Sequence, residues 1–245
     1  DAFDFLFMTF GLACLYEYKR LVKLRGYHIF IAYLALWWAY IYLVYDSTLD
    51  AVLVYVLLVV TLFVDIVLLV YLFSPKQKIE SSLEKFVIGL FYIGGGCIFL
   101  TMIPYKGKDF AQLLIVGVFI LIWVNDSFAY LVGSSIGRTK LYPSISPKKT
   151  VEGTLGGLIF ALGAAYIIGK YETVLSPSQW MILAVVIVSS GSLGDLLESK
   201  FKRTAGVKDS GAILPGHGGM LDRLDSLVFA APFAYVTLII FAYVP

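Results

Sequence analysis

Charge is what this chain has least of. Of 245 residues only 15% are Asp, Glu, Lys or Arg, against about a quarter in soluble domains. Hydrophobic residues make up 60% and the mean hydropathy is +0.86. That balance excludes an ordinary water-soluble enzyme and points to a polytopic membrane protein of all-α class. Cysteine occurs twice, as Cys14 and Cys97, each inside an apolar run, so both read as small core residues and not as a disulfide or a metal pair. Histidine also occurs twice. With no Cys or His partner near His217, and His28 alone at an interface, a zinc site is not expected. No cleavable signal peptide opens the chain, which begins at Asp1, and a further hydrophobic segment is expected ahead of it.

What is present is a series of apolar runs. A helix needs about 20 apolar residues to cross the hydrocarbon core. By that measure about eight transmembrane helices are expected, at 3–16, 27–45, 51–73, 86–103, 110–132, 155–169, 180–197 and 227–244. The sixth is short and rich in glycine (Gly156, Gly157, Gly163, Gly169), which suits close helix packing. Lysine and arginine cluster after alternate runs: Lys19, Arg20, Lys23 and Arg25, then Lys76, Lys78 and Lys85, then Arg138, Lys140, Lys148 and Lys149, then Lys200, Lys202, Arg203, Lys208 and Arg223. Only Lys106, Lys108 and Lys170 of the 19 fall in the other connections. By the positive-inside rule the rich side is cytoplasmic.

The chain changes character near Tyr105. Residues 1–104 read as plain scaffold helices, and 105–245 as a catalytic membrane region with cytoplasmic loops at 133–154 and 199–225. In the scaffold, Asp65 is a singleton without polar neighbours. Glu17 sits at a span end beside basic residues. Both read as structural. In the second half, Asn125 and Asp126 lie within a span, where an ionised Asp costs several kcal/mol unless it faces a partner or water, so the pair is expected to face the bundle interior. Lys148 and Lys149, in Ser-Pro-Lys-Lys-Thr at 146–150, stand beside hydroxyls at the start of a helix, a setting that suits phosphate as well as lipid headgroups.

Asp195 and Glu198 are three residues apart at the end of one span, and Asp222 and Asp225 repeat that spacing at the start of the next. Two helix ends thus offer carboxylates to one hard metal ion. Between them lie Lys200, Lys202, Arg203, Lys208 and Asp209, with Gly206, Gly211, Gly216, Gly218, Gly219 and His217. Lysine and arginine neutralise phosphate, and glycine lets backbone N–H groups approach oxygen closely. A network of salt bridges explains the charges but does not need the glycine run.

This stretch resembles the signature of the phosphatidate cytidylyltransferases, the CDP-diacylglycerol synthases. Ser199, Phe201, Lys202–Arg203, Lys208–Asp209, Gly211, Leu214–Pro215, His217–Gly219, Asp222–Arg223 and Asp225 match it without a gap. The family's Asn-Asp…Ala-Tyr span and its Ser-Pro-Lys-Lys-Thr-x-Glu-Gly loop are also present, from Asn125 and from Ser146. The resemblance covers about the last 125 residues of the 245. It implies transfer of CMP from CTP to phosphatidate at the cytoplasmic face of a bacterial inner membrane, in contact with membrane lipids, by a homodimer dependent on one or two Mg²⁺ ions. Nucleic acid is not an expected partner.

On this reading Asp195, Asp222 and Asp225 form the metal site with Asp126 at or beside it, and Asp222 and Asp225 are catalytic. The substrate-binding set is Asn125, Ser146, Lys148, Lys149, Lys202, Arg203, Lys208, Asp209, Gly218, Gly219 and Arg223. His217 completes the catalytic group, as a hydrogen-bond donor to a phosphate oxygen in preference to a general base. The alternatives are a CTP-dependent polyprenol (dolichol-type) kinase, and a transporter coupling ions through Asp126 and Asp195. The Asp-Gly-x-x-Ala-Arg pattern of CDP-alcohol phosphotransferases is absent.

Overall fold

A computed structural model of the chain describes residues 2–40, 50–74, 78–106, 109–213, 216 and 218–243. The first part holds α1 (Ala2–Leu21), α2 (His28–Trp38), α3 (Asp50–Phe73), α4 (Ser82–Ile88) and α5 (Gly96–Met102). A π-helical stretch at Gly89–Gly95 joins α4 and α5 into one rod. Then come the hairpin of β1 (Tyr105–Lys106) and β2 (Asp109–Phe110), α6 (Gln112–Ile136), the hairpin of β3 (Lys140–Tyr142) and β4 (Ser146–Thr150), α7 (Val151–Tyr171), α8 (Pro177–Ala205) and α9 (Leu221–Tyr243).

Six helical segments among the described residues are long and apolar enough to cross a membrane: Val52–Phe73, Ser82–Met102, Gln112–Ile136, Val151–Tyr171, Pro177–Ala205 and Leu221–Ala242. The chain is a mostly helical integral membrane protein, and six of the eight expected spans match these segments. Of the other two, α1 is 20 residues long but carries Asp4, Glu17, Lys19 and Arg20, and α2 has 11 residues. Residues 41–45 of the expected second span lie outside the described ones.

The rod at Ser82–Met102 is the centre of the core. Tyr92, Ile93, Cys97, Ile98, Phe99 and Leu100 on it are inaccessible, and Cys14 is buried with them as a free thiol. Its glycines admit neighbours at close range: Gly94 meets Tyr33 of α2, Gly95 meets Thr61 of α3, and Gly96 meets the backbone carbonyl of Val228 in α9. One turn along α3 from Thr61, Asp65 is 1% exposed, and neither of its carboxylate oxygens has a hydrogen-bond partner among the described residues. The glycine-rich span behaves as expected, since Gly153, Gly156 and Gly157 of α7 lie against Ala129, Val132 and Asn125 of α6.

The helices that carry the charged stretch run further than hydropathy suggests. Ser176 and Gln179 form a reciprocal capping box at the start of α8, with Pro177 in its first turn. The helix continues two turns past residue 197 and stops at Gly206, whose φ is +74°. There the amides of Gly206 and Val207 donate to the carbonyls of Arg203 (3.1 Å) and Lys202 (3.0 Å), a Schellman ending that needs a residue without Cβ. Since α9 starts at Leu221, the polar connection expected over 199–225 shrinks to 206–220.

The expected loop at 133–154 is likewise mostly ordered structure, and Ser146–Thr150 is a short strand within a mostly helical chain. Pro147 is tolerated because a two-stranded hairpin has free edges. The hairpin is braced from three sides. Tyr142 donates to the carbonyl of Leu72 (3.1 Å), Arg203 Nε donates to the carbonyl of Ile145 (3.3 Å), and the Glu152 carboxylate accepts from the amides of Arg138 (3.1 Å) and Thr139 (3.0 Å).

Candidate active site

Asp195, Glu198 and Lys202 follow one another at steps of three and four along α8 and so share one face. Lys202 Nζ stands 2.5 Å from Glu198 Oε2 and 2.7 Å from Asp222 Oδ1 of α9, bridging the two helices. The Glu198 side chain is wholly inaccessible. It meets Lys202 as an ion pair outside hydrogen-bond geometry, and neither of its oxygens has a hydrogen-bond partner among the described residues. From the other side, β4 contributes Lys149, whose Nζ lies 2.6 Å from Asp195 Oδ2. Asp225 is buried and takes the amide of Ser226 at 2.7 Å. It is within electrostatic reach of Asp195, Glu198, Lys149 and Lys202.

Asp126 is in turn within reach of Asp195 and Lys149, and receives the Asn125 Nδ2 hydrogen bond at 3.1 Å. The two neighbours divide: Asn125 faces inward against Gly157, whereas Asp126 is exposed, so only half of the expected pair faces the bundle interior. The result is one cluster in which the carboxylates of Asp126, Asp195, Glu198, Asp222 and Asp225 surround the ammonium groups of Lys149 and Lys202.

The loop between α8 and α9 is closed by two carboxylates. Asp222 Oδ2 accepts from the amides of Ser210 and Gly219, each at 2.9 Å, and from Ser210 Oγ at 3.0 Å. Glu17, from α1, is 1% exposed and accepts from the amides of Met220 (3.1 Å) and Leu221 (2.8 Å) and from Ser210 Oγ (2.9 Å). Two of the glycines read as making room for phosphate make room for this carboxylate instead. A Cβ at Gly211 would meet Glu17, and one at Gly219 would meet both Ser210 and Glu17. Gly216 and Gly218 have φ of +76° and +86°, the left-handed region that favours glycine.

Other expected site residues do not join the cluster. The alternation of side chains along β4 turns Lys148 to solvent while Lys149 turns in, and Ser146 lies at the opposite end of the strand. Arg203, next to Lys202 but turned about 100° round the helix, is exposed and holds the carbonyls of Ile145 and Val207. Lys200 donates to the carbonyls of Tyr71, Leu72 and Ser74 at the end of α3. Lys208 and Asp209 are exposed in the loop, and Arg223 is exposed on the first turn of α9. His217 lies outside the described residues. Sequence reasoning missed Ser210 and took Glu17 as a plain structural residue. The signal for both was the pair of glycines, which marked a close approach without naming what approaches.

Among the described residues no three Asp, Glu, His or Cys side chains converge in a way that would hold a metal ion. The donor chemistry nevertheless fits a hard divalent cation. Carboxylates outnumber ammonium groups, and the buried Glu198 oxygens lack hydrogen-bond donors. Asp222 fits less well than Asp126 and Asp225, because protein donors occupy both of its oxygens, and Asp195 shares that position, with Ser199 on one oxygen and Lys149 on the other.

The ends of α8 and α9, with Lys149 of β4 beside them, thus bring carboxylates and lysines into one partly buried charged cluster within a mostly apolar chain. The chain matches the model of the cytidylyltransferase family over residues 2–241, and it belongs to that family. It is 41% identical over 186 residues to the phosphatidate cytidylyltransferase of Bacillus subtilis, covering 75% of this chain and 68% of that one. To the phosphatidate cytidylyltransferases of Staphylococcus saprophyticus and Staphylococcus aureus it is 40% and 39% identical over 176 residues, covering 71% of this chain and 66% of each relative. The matched part thus spans about two thirds of the length of these relatives.

Proposed function

We propose that this protein is a phosphatidate cytidylyltransferase, converting CTP and phosphatidate to CDP-diacylglycerol and pyrophosphate. The observation that carries the reading is the meeting of Lys202, Asp222 and Asp225 of the signature with Lys149 and Asp195 in one partly buried cluster. A phosphate oxygen of phosphatidate attacks the α-phosphorus of CTP in line. A new P–O bond forms there as the bond to the β-phosphate breaks, and pyrophosphate leaves with the electron pair. A phosphate monoester has its second pKa at about 6, so no strong base is needed to make the nucleophile.

The work of the protein is therefore positioning and charge neutralisation. Lys149 and Lys202, both at the cluster, neutralise phosphate oxygens. Asp126, Asp195 and Asp225 would hold Mg²⁺, which when bound offsets the charge of the triphosphate. His217 donates a hydrogen bond to a phosphate oxygen. In this reading the basic connections face the cytoplasm of a bacterial inner membrane, α1 and α2 accompany the six longer helices in the bilayer, and the working form is a homodimer.

The test is incubation of the purified protein in detergent with CTP and phosphatidate, with and without Mg²⁺, using CTP labelled in the α- or the γ-phosphate. The expected product is an α-labelled CDP-lipid formed only with Mg²⁺. Transfer of the γ-label to a polyprenol, with no CDP-lipid, would establish the lipid kinase instead.

A further inference from the structure

Glu17 belongs to the half of the chain in which no catalytic constellation was expected, yet it reaches the loop that carries the signature. Its helix is fixed in register beside it. Tyr18 donates to the carbonyl of Lys85 at 3.1 Å, and its ring packs edge-on to Phe201 of α8 with centroids 5.6 Å apart. The carboxylate itself accepts the amides of Met220 and Leu221, the orphan donors at the start of α9. A carboxylate there is also favoured by the positive end of the helix dipole. An ordinary N-cap side chain accepts from amides two or three residues further along the same segment, whereas this carboxylate comes from a residue 204 positions earlier.

Ser210 makes the link to chemistry. Its hydroxyl has one proton and stands 2.9 Å from Glu17 Oε2 and 3.0 Å from Asp222 Oδ2. Glu17 and Asp222 thus compete for one donor, and what Glu17 takes sets how Asp222 is held beside Lys202. Gly211 and Gly219 are the independent sign that this contact is built, because a side chain at either would displace the Glu17 carboxylate.

We propose that Glu17 is a positioning residue of the active site, fixing Ser210 and the start of α9 and, through Ser210, the placement of Asp222 against Lys202; this rests on the transferase reading above. It touches no reacting atom. Misplacement of about 1 Å at a catalytic group costs up to about 100-fold in rate, and the loss should fall on turnover more than on substrate binding.

The experiment compares Glu17→Gln, Ser210→Ala and the double variant with the parent protein in detergent. The nearly isosteric Gln keeps one acceptor oxygen and loses the other. Three readings are taken: kcat, KM for CTP and phosphatidate, and amide hydrogen exchange at Met220 and Leu221. Expected for Glu17→Gln are a kcat lowered about 10–100-fold with both KM values within about twofold, and exchange of both amides faster by about tenfold. The double variant should be little worse than Glu17→Gln alone, since the two residues act in series. An unchanged kcat per folded molecule, even with faster exchange, would overturn the proposal and leave Glu17 a stabilising contact. Unchanged exchange would overturn it by showing that the amides do not depend on Glu17. A parent protein that makes no CDP-diacylglycerol would instead refute the transferase reading, and the clamp would then be judged from the exchange rates.

Discussion

Replacing Lys202 by Met tests the centre of the cluster. The substitution keeps an unbranched side chain one atom shorter and removes one positive charge lying 2.5 Å from Glu198 and 2.7 Å from Asp222. Asp222 retains donors from Ser210 and Gly219, but Glu198, with no accessible surface, loses its cation. Breaking a buried pair from one side costs about 3–5 kcal/mol, because the remaining charge is uncompensated. For a chain of this size each kcal/mol moves the melting temperature by about 2–4 °C, so Lys202→Met should melt roughly 6–20 °C lower. Glu198→Gln placed on top of it removes the stranded charge and should restore more than half of the loss. Catalysis should not return with it, because the ammonium group proposed to neutralise phosphate is still missing. Differential scanning fluorimetry in detergent, beside the CDP-lipid assay, measures both. A melting temperature for Lys202→Met within 2 °C of the parent, or losses that simply add in the double variant, would refute the bridging role.

The two lysines of β4 should separate cleanly: Lys149→Ala lowers kcat/KM for CTP about tenfold or more, while Lys148→Ala stays within about twofold, and equal effects would contradict the strand alternation. Asp65→Leu should raise stability by about 1–3 kcal/mol, the cost of a buried polar group without a partner, as read from the melting temperature. A lower value would mean that Asp65 is engaged in the membrane-embedded protein. His217→Gln should retain substantially more activity than His217→Ala if the ring donates a hydrogen bond. Equal losses, with disappearance of a titration near pH 6.5 from the rate profile, would identify a general base.

The apolar helices and the charged stretch between the last two of them were legible because burial in lipid forces composition. Their ends were not. The last turns of α8 leave the apolar run, so hydropathy stops at Leu197 while the backbone continues to the Schellman glycine. That continuation decides the site, because it puts Lys202 on the inward face and turns Arg203 away. Sequence adjacency had placed the two together, as it had Lys148 with Lys149 and Asn125 with Asp126. In each case period, and not proximity along the chain, separates the partners. Glu17 was illegible for another reason. Its partners are backbone amides, which every residue has, some 200 positions away.

The tie between α1 and α9 also has a consequence in time. A ribosome adds about 5–20 residues per second, so Glu17 is made roughly 10–40 s before Leu221, the amide it is to hold. Throughout that interval its carboxylate has neither Met220 nor Leu221 to meet. The nascent chain therefore carries an acidic group at the end of α1 that must stay hydrated, or find a temporary donor, while α3 to α8 are inserted. Docking of α9 ends this wait and closes the 206–220 loop in the same event. A chain stalled before that point holds Lys149, Asp195 and Lys202 but lacks Asp222 and Asp225, so the charged cluster is completed only when α9 docks.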